Sequence, residues 1–223
     1  MRWTPASWTG PRLAAYAPLV ARLAAWSDWP AVAELDRVLA DRLRGDGHRP
    51  VRLVDQPPRR QPGTLLYEVH VAERGEVPTR AANAHDLWNA LVWATFPRAK
   101  WALADRLGAI QQARAAAGPR LPGARAPAHD RLALLDEGGV IVAGAHAVVF
   151  GHAILEHAAR GVVAIRGARF ALDAALPWRA DAVDAALAAA IAAGGEVAPG
   201  PGVTIDDDAL RPWARAPGAE AQR

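Results

Sequence analysis

The segment between Asn83 and Phe96 constrains the fold most, because it predicts a helix that is apolar on almost every side in its lower half. Asn83 is a favourable N-cap, and Asp86, three residues later, can reach back to the N–H of the cap. Leucine, valine and aromatic side chains occupy both sides of the following turns. A helix with this pattern is typically buried between other elements. We therefore expect the core to form around residues 84–96.

Polar side chains gather at the start of this helix. Helical spacing places His85, Asp86 and Asn89 on one side, and these are the predicted catalytic residues. The free N–H groups of a helix N-terminus favour an anion and a neutral imidazole. The predicted ligand-binding residues at this end are Thr79, Arg80 and Asn83. The alternative is structural: Asn83 and Asp86 cap the helix and Arg80 neutralises Asp86.

A second helix, predicted from Ala147 to Arg160, carries His152 and Glu156 four residues apart on one face. This spacing suits two metal ligands and equally an intrahelical ion pair. His85 and His152 are each a polar exception on an apolar helix, so we expect the two imidazoles to share one pocket. The predicted metal ligands are His85, Asp86, His152 and Glu156. The cofactor of such a site is a divalent ion such as Zn, Mn or Fe.

Composition excludes several classes of function. The 223 residues contain no cysteine, which removes disulfides, thiolate metal sites and cysteine nucleophiles. No apolar segment resembles a signal peptide or a membrane span, so we expect a soluble, cytoplasmic protein without a membrane partner. The net charge is only +3, and no basic run with interleaved aromatic residues indicates a nucleic-acid surface.

Charge is nevertheless uneven along the chain. Residues 1–125 hold 18 basic and 11 acidic side chains, net +7, whereas residues 126–223 hold 8 and 12, net −4. The positive half contains Arg80 and His85, which favours a small anionic ligand. Among the 26 basic residues only Lys100 is a lysine.

The fold class predicted from the remaining pattern is α+β. Alternation over Thr64–Ala72 predicts a long strand that places Glu68 and His70 on one face. Hairpins are predicted for residues 131–143, with Asp136 and Glu137 in the turn, and around Arg166-Gly167. About six helices are predicted, at residues 11–26, 30–44, 84–96, 97–118, 147–160 and 180–193. We expect these helices to pack around a small, mostly antiparallel sheet in one domain over residues 1–213, with a frayed tail at 214–223.

The central motifs resemble a bacterial family called domain of unknown function 3025. They are Tyr67-Glu68, Gly75-Glu76-Val77-Pro78-Thr79-Arg80, Asn83-x-His85-Asp86-Leu87-x-Asn89-Ala90-Leu91-x-Trp93, Phe96-Pro97-x-x-Lys100, Leu135-Asp136-Glu137-x-Gly139-Val140, Phe150-Gly151-His152-Ala153-x-Leu155-Glu156, the loop from Pro199 to Gly202, and Arg211-Pro212. The resemblance spans roughly residues 15–213. The family has a longer segment before Phe150-Gly151-His152, which implies a more open site in this chain. The recurring polar residues of the family correspond to His85, Asp86, Asn89, His152 and Glu156, but the resemblance implies no activity.

Two functions stay open at this stage. One is a metal-assisted hydrolase acting on an anionic small molecule, with the metal between the two predicted helices. The other is a non-enzymatic ligand- or protein-binding module in which the His/Asp/Glu cluster is a structural hydrogen-bond network. Distances discriminate them, since metal ligands converge on one point open to water, whereas a network needs only pairwise contacts.

Overall fold

A computed structural model of the chain describes residues 2–56, 66–116, 127–162, 166–194, 203–204 and 210. The predicted α+β class is confirmed, but these residues form nine α-helices rather than about six. The helices are α1 Ala17–Leu23, α2 Val32–Val38, α3 Ala40–Leu43, α4 Tyr67–Arg74, α5 Ala84–Thr95, α6 Pro97–Ala116, α7 Pro127–Gly138, α8 His152–Ala159 and α9 Ala180–Ala192. The strands are β1 Arg52–Asp55, β2 Glu76–Thr79, β3 Gly139–Ala143, β4 His146–Val149, β5 Arg166–Leu172 and β6 Val203–Thr204.

The strands form two small sheets. β1 and β2 make a parallel pair, and the second sheet has the order β4-β3-β5-β6. In that sheet β3 runs antiparallel to β4 and parallel to β5, while β5 runs antiparallel to β6. Two of the three pairings in the four-stranded sheet are therefore antiparallel, but β1 and β2 form a separate parallel pair, so there are two sheets rather than the single one predicted. The parallel partners are distant in sequence and joined through helices, as parallel pairing requires.

Helix α5 lies at the centre of the core, as its pattern predicts. Every residue from Leu87 to Thr95 is buried, and Trp88 and Leu91 are fully enclosed. Tyr16 packs edge-on against Trp88 and donates a hydrogen bond of 2.8 Å to the carbonyl oxygen of Val149. α5 also packs against α6 and α8, so the polar start of α5 is brought to the start of α8.

The predicted strand over Thr64–Ala72 is wrong, because residues 67–74 form helix α4. This helix packs closely along α6 at Gly108, where a Cβ would lie 3.2 Å from the Cβ of Ala72 and 3.3 Å from the carbonyl oxygen of Glu68. Gly75 ends α4 in the left-handed conformation at φ 65°. Tertiary packing against α6 therefore overrides the alternating pattern.

The predicted hairpin over residues 131–143 is also wrong in its first half, which belongs to helix α7. Leu132 and Leu135 are buried three residues apart, while Leu134 is 46% exposed, which is helical rather than alternating periodicity. Leu134 therefore lies on the exposed face of α7, and Val142 in β3 is only partly buried. The true hairpin joins β3 to β4 through Gly144 at φ 58°.

Two further elements differ from the prediction. Residues 146–149 form β4, so the helix predicted from Ala147 begins only at His152. β5 begins at Arg166, so Arg166-Gly167 lies in a strand rather than in a hairpin turn, and residues 163–165 of the predicted first arm lie outside the described residues. The loop at 199–202 and the predicted tail at 214–223 lie outside the described residues. Among the described helices, none combines the length and apolar character needed to cross a membrane.

Candidate metal centre

Three helix ends meet at one place in the structure. His85 is the second residue of α5, His152 is the first residue of α8, and Glu137 is the last residue but one of α7. Gly151 makes this junction close, because a Cβ there would lie 2.5 Å from both the Glu137 carbonyl oxygen and the Gly139 nitrogen. The absence of a side chain at Gly151 therefore brings His152 next to Glu137.

The nitrogen and oxygen atoms of this junction are spaced like metal ligands. The Nε2 atoms of His85 and His152 lie 3.0 Å apart. The Oε2 atom of Glu137 lies 3.4 Å from Nε2 of His152 and 3.8 Å from Nε2 of His85. Neighbouring donor atoms around a tetrahedral ion with bonds near 2.05 Å are about 3.3 Å apart. These three atoms could therefore bind one divalent ion with little rearrangement.

The cluster is buried on one side and open on the other. The side chain of His152 is only 4% exposed, whereas those of His85 and Glu137 are 33% and 50% exposed. An ion could therefore enter past His85 and Glu137, and the same opening could admit water or a substrate. Open coordination positions of this kind distinguish catalytic metal sites from structural ones.

Carboxylates stand behind both imidazoles. Oε2 of Glu156 lies 3.5 Å from Nδ1 of His85, and Glu156 also forms an ion pair with Arg160. Oδ1 of Asp136 lies 3.9 Å from Nδ1 of His152. Metal-binding histidines commonly direct their second ring nitrogen toward a carboxylate, which fixes the ring orientation. Both histidines have such a carboxylate neighbour.

A lysine-centred network extends behind Asp136. The buried Lys100 donates from Nζ to Oδ1 of Asp136 at 2.5 Å and to Oδ1 of Asn89 at 2.8 Å. Asn89 in turn donates from Nδ2 to the hydroxyl oxygen of Tyr67 at 3.0 Å. The network joins α4, α5, α6 and α7 directly behind the imidazole pair.

Burial and charge set the protonation of these groups. Burial lowers the pKa of His152 to about 4, although the nearby Asp136 charge opposes this shift, so the imidazole is neutral at pH 7. Burial by itself would raise the pKa of Asp136, but Lys100 and the two histidines outweigh it and lower that pKa overall. Burial raises the pKa of Glu137. Burial, followed by the Asp136 charge, raises the pKa of Tyr67 well above its usual value.

The residues predicted to bind a ligand at the start of α5 make contacts within the protein. Both carboxylate oxygens of Asp86 accept hydrogen bonds from Arg80, at 2.7 Å from Nη2 and from the backbone nitrogen and 2.9 Å from Nε. Oδ1 of Asn83 accepts from the backbone nitrogen of Asp86 at 3.1 Å. Thr79 is buried and donates to the carbonyl oxygen of Val77. This arrangement matches the capping alternative.

The predicted metal ligands are thus only partly brought together. His85 and His152 meet, as expected. The Asp86 carboxylate binds Arg80 rather than the imidazole pair, and Glu156 lies behind His85. Asn89 faces Lys100.

Sequence reasoning missed Glu137, Asp136 and Lys100. The sequence pattern predicts a turn for the two acidic residues, because Asp-Glu-Gly-Gly between apolar runs is typical of a hairpin. Lys100 did carry a signal, since it is the single lysine in a chain that otherwise uses arginine. A single lysine in a chain that otherwise uses arginine indicates a position where the compact ammonium group makes a specific contact.

The family comparison covers the centre of the chain. Residues 51–147 match the model of a family described as a protein of unknown function, DUF3025. The resemblance predicted from the sequence is therefore confirmed over a shorter span than expected, one that includes His85, Lys100 and Glu137 but not His152. No curated protein and no solved structure matches the chain significantly.

Proposed function

We propose that His85, His152 and Glu137 bind one divalent metal ion and that the protein is a metal-assisted hydrolase. The observation that carries this proposal is the spacing of the two Nε2 atoms and of Oε2 of Glu137, at 3.0, 3.4 and 3.8 Å. Two imidazoles and one carboxylate form a donor set suited to Zn, Mn or Fe, and in zinc hydrolases it leaves a position for water.

The surrounding residues support catalysis rather than simple storage of an ion. When bound, the ion would supply a Lewis acid and lower the pKa of a coordinated water. The neutral, buried imidazole of His152 offers a lone pair without first losing a proton. The exposed sides of His85 and Glu137 leave room for a substrate, while the buried Lys100–Asp136 pair closes the opposite side.

An anionic small molecule is the proposed substrate class. Arg80 supports this proposal, because its side chain is about half exposed and contacts Asp86, the residue next to His85 in α5. Its charge also acts on Glu156, the carboxylate behind His85. A substrate phosphate or carboxylate could approach Arg80 while its scissile bond faces the ion.

A second candidate is a non-enzymatic binding module in which the cluster is a hydrogen-bond network. A separation of 3.0 Å between Nε2 atoms is also a normal hydrogen-bond distance. The chain of contacts from Tyr67 through Asn89 and Lys100 to Asp136 is complete in itself. In this case the protein would bind no stoichiometric metal.

Metal analysis of protein purified without an affinity tag separates the two candidates. The hydrolase proposal expects about one divalent ion per chain, and hydrolysis of chromogenic phosphate or carboxylate esters that is lost with chelator and restored by Zn, Mn or Fe. His85→Ala and His152→Ala should lose both properties. His157→Ala, an exposed histidine on α8, is the matched control and should keep both. Wild-type protein that contains no metal after purification, and that still binds none after incubation with Zn, Mn or Fe, would rule out the hydrolase.

A further inference from the structure

We propose that Asp136, held in place by Lys100, is the positioning residue of the metal centre and selects the ring tautomer of His152. It directs the Nδ1–H of His152 toward itself and thereby leaves the Nε2 lone pair facing His85 and Glu137. This inference rests on the proposed function, because its purpose is to prepare Nε2 for a metal ion.

The first support is the position of Asp136 relative to the two nitrogens. Its Oδ1 atom is 3.9 Å from Nδ1 of His152, which exceeds a hydrogen bond and leaves attraction between charge and dipole. Nδ1 is buried and makes no hydrogen bond of standard geometry to the described residues, although the Asp136 backbone is close enough to raise the pKa of His152. A buried N–H beside a carboxylate is favourable, whereas a buried lone pair beside the same carboxylate is repelled.

The second support is the way in which Asp136 is held. The Oδ1 atom that faces His152 also accepts from Nζ of Lys100 at 2.5 Å. Lys100 is 3% exposed and is fixed by Asn89, which is fixed by Tyr67. Side chains from three other helices therefore restrict the movement of one carboxylate oxygen. Restraint of this kind is what a ligand-orienting carboxylate needs.

The competing tautomer has a different consequence. If Nε2 of His152 carried the proton, it would donate to Nε2 of His85 at 3.0 Å and leave no lone pair on that atom for a metal ion. Its Nδ1 lone pair would then face Asp136. The opposed charges of Asp136 and Lys100 would in that case serve only to join α6 and α7.

The proposal predicts an effect on metal affinity that a structural ion pair would not produce. The double variant Lys100→Met/Asp136→Leu removes both charges together, so no unpaired charge is left buried and the fold should persist. We expect its dissociation constant for zinc to be about 10–100-fold higher than that of the wild type. Asp130→Asn, an exposed carboxylate on the same helix, is the control and should bind zinc as the wild type does.

The tautomer itself is measured on metal-free wild-type protein by ¹⁵N NMR of the histidine side chains. The proposal expects His152 with its proton on Nδ1, and a proton on Nε2 would overturn it even if the double variant failed to fold. Unchanged zinc affinity in a folded double variant would overturn it too, while leaving the proposed function intact. Wild-type protein that binds no zinc would remove the proposed function and this inference together.

Discussion

Gly151 passes so close to Glu137 that a Cβ on Gly151 would lie 2.5 Å from the Glu137 carbonyl oxygen. The contact fixes the start of α8 against the end of α7, and with it the distance between His152 and the Glu137 carboxylate. A glycine with an ordinary φ of −65° is thus required by space rather than by backbone conformation.

Replacing this glycine should damage both the fold and the metal centre. Gly151→Ala forces a backbone shift, because its new contacts are main-chain atoms, and should cost about 1–3 kcal/mol of unfolding free energy. It should also weaken zinc binding by separating His152 from Glu137. Denaturant unfolding and calorimetric titration measure the two effects. Gly138→Ala is the control, since its Cβ would meet only Leu134 at 3.8 Å; equal behaviour of the two variants would refute the close contact.

The central position of α5 leads to a second prediction. Leu91 is fully buried, so Leu91→Ala should lower the unfolding free energy by about 2–5 kcal/mol. Leu134 is 46% exposed on α7, so Leu134→Ala should change the unfolding free energy by less than about 0.5 kcal/mol. Denaturant midpoints of the two variants provide the comparison. A shift within experimental error for Leu91→Ala would contradict the burial of α5.

The contrast between these leucines shows what the sequence could predict. The pattern around Leu91 is apolar on almost every side in the lower half of the helix, and only burial satisfies it. The run Arg131–Leu135 is short, and short apolar runs fit a strand and a helix equally well. Contacts with residues distant in sequence favour the helix over residues 131–135. Because the sequence predicts a strand there, it also predicts a turn for Asp136 and Glu137, which instead lie at the end of a helix.

The candidate site, like the fold, is only partly predictable from the sequence. His85 and His152 were expected to meet because each is a polar exception in an apolar setting, and this argument needs no tertiary information. The other two predicted ligands, Asp86 and Glu156, are neighbours of these histidines on the same helices. Asp86 instead binds Arg80, six residues away, and Glu137 comes from a separate helix. Nothing local to Glu137 distinguishes it from an ordinary turn carboxylate.

Asp184 makes stability depend on pH. It is buried on α9 and accepts hydrogen bonds from the backbone nitrogens of Arg98 and Ala99, at 3.1 and 2.8 Å. Burial raises its pKa to about 6, although these two N–H groups partly oppose the shift. The folded state therefore binds the proton more tightly than the unfolded state, whose pKa is near 3.8. The contribution of protonated Asp184 to the unfolding free energy is fully present below about pH 4, and it is lost as the pH rises through about 6.

Asp184→Asn should remove this dependence, because its amide oxygen can accept a hydrogen bond but does not titrate. Relative to the wild type, the variant should gain up to about 3 kcal/mol of unfolding free energy between pH 4 and pH 7. Urea unfolding at several pH values measures both proteins. If the unfolding free energies of wild type and variant changed with pH in the same way, Asp184 would have an ordinary pKa.

Arg80 is predicted to bind an anion but not the metal. Arg80→Ala should weaken phosphate or sulfate binding and raise the KM for an anionic ester, while metal stoichiometry stays unchanged. Arg37→Ala, an exposed arginine on α2, is the control. Titration of phosphate against the three proteins tests the prediction. Equal, weak binding by all three would remove Arg80 from the site, leaving it only as the partner of Asp86.

Anomalous diffraction at the zinc edge from crystals of zinc-loaded wild-type protein tests the metal centre most directly. We predict one strong peak about 2.0–2.2 Å from Nε2 of His85, Nε2 of His152 and Oε2 of Glu137. No peak at this position, or a peak held by other residues, would contradict the assignment of these three side chains as the metal ligands.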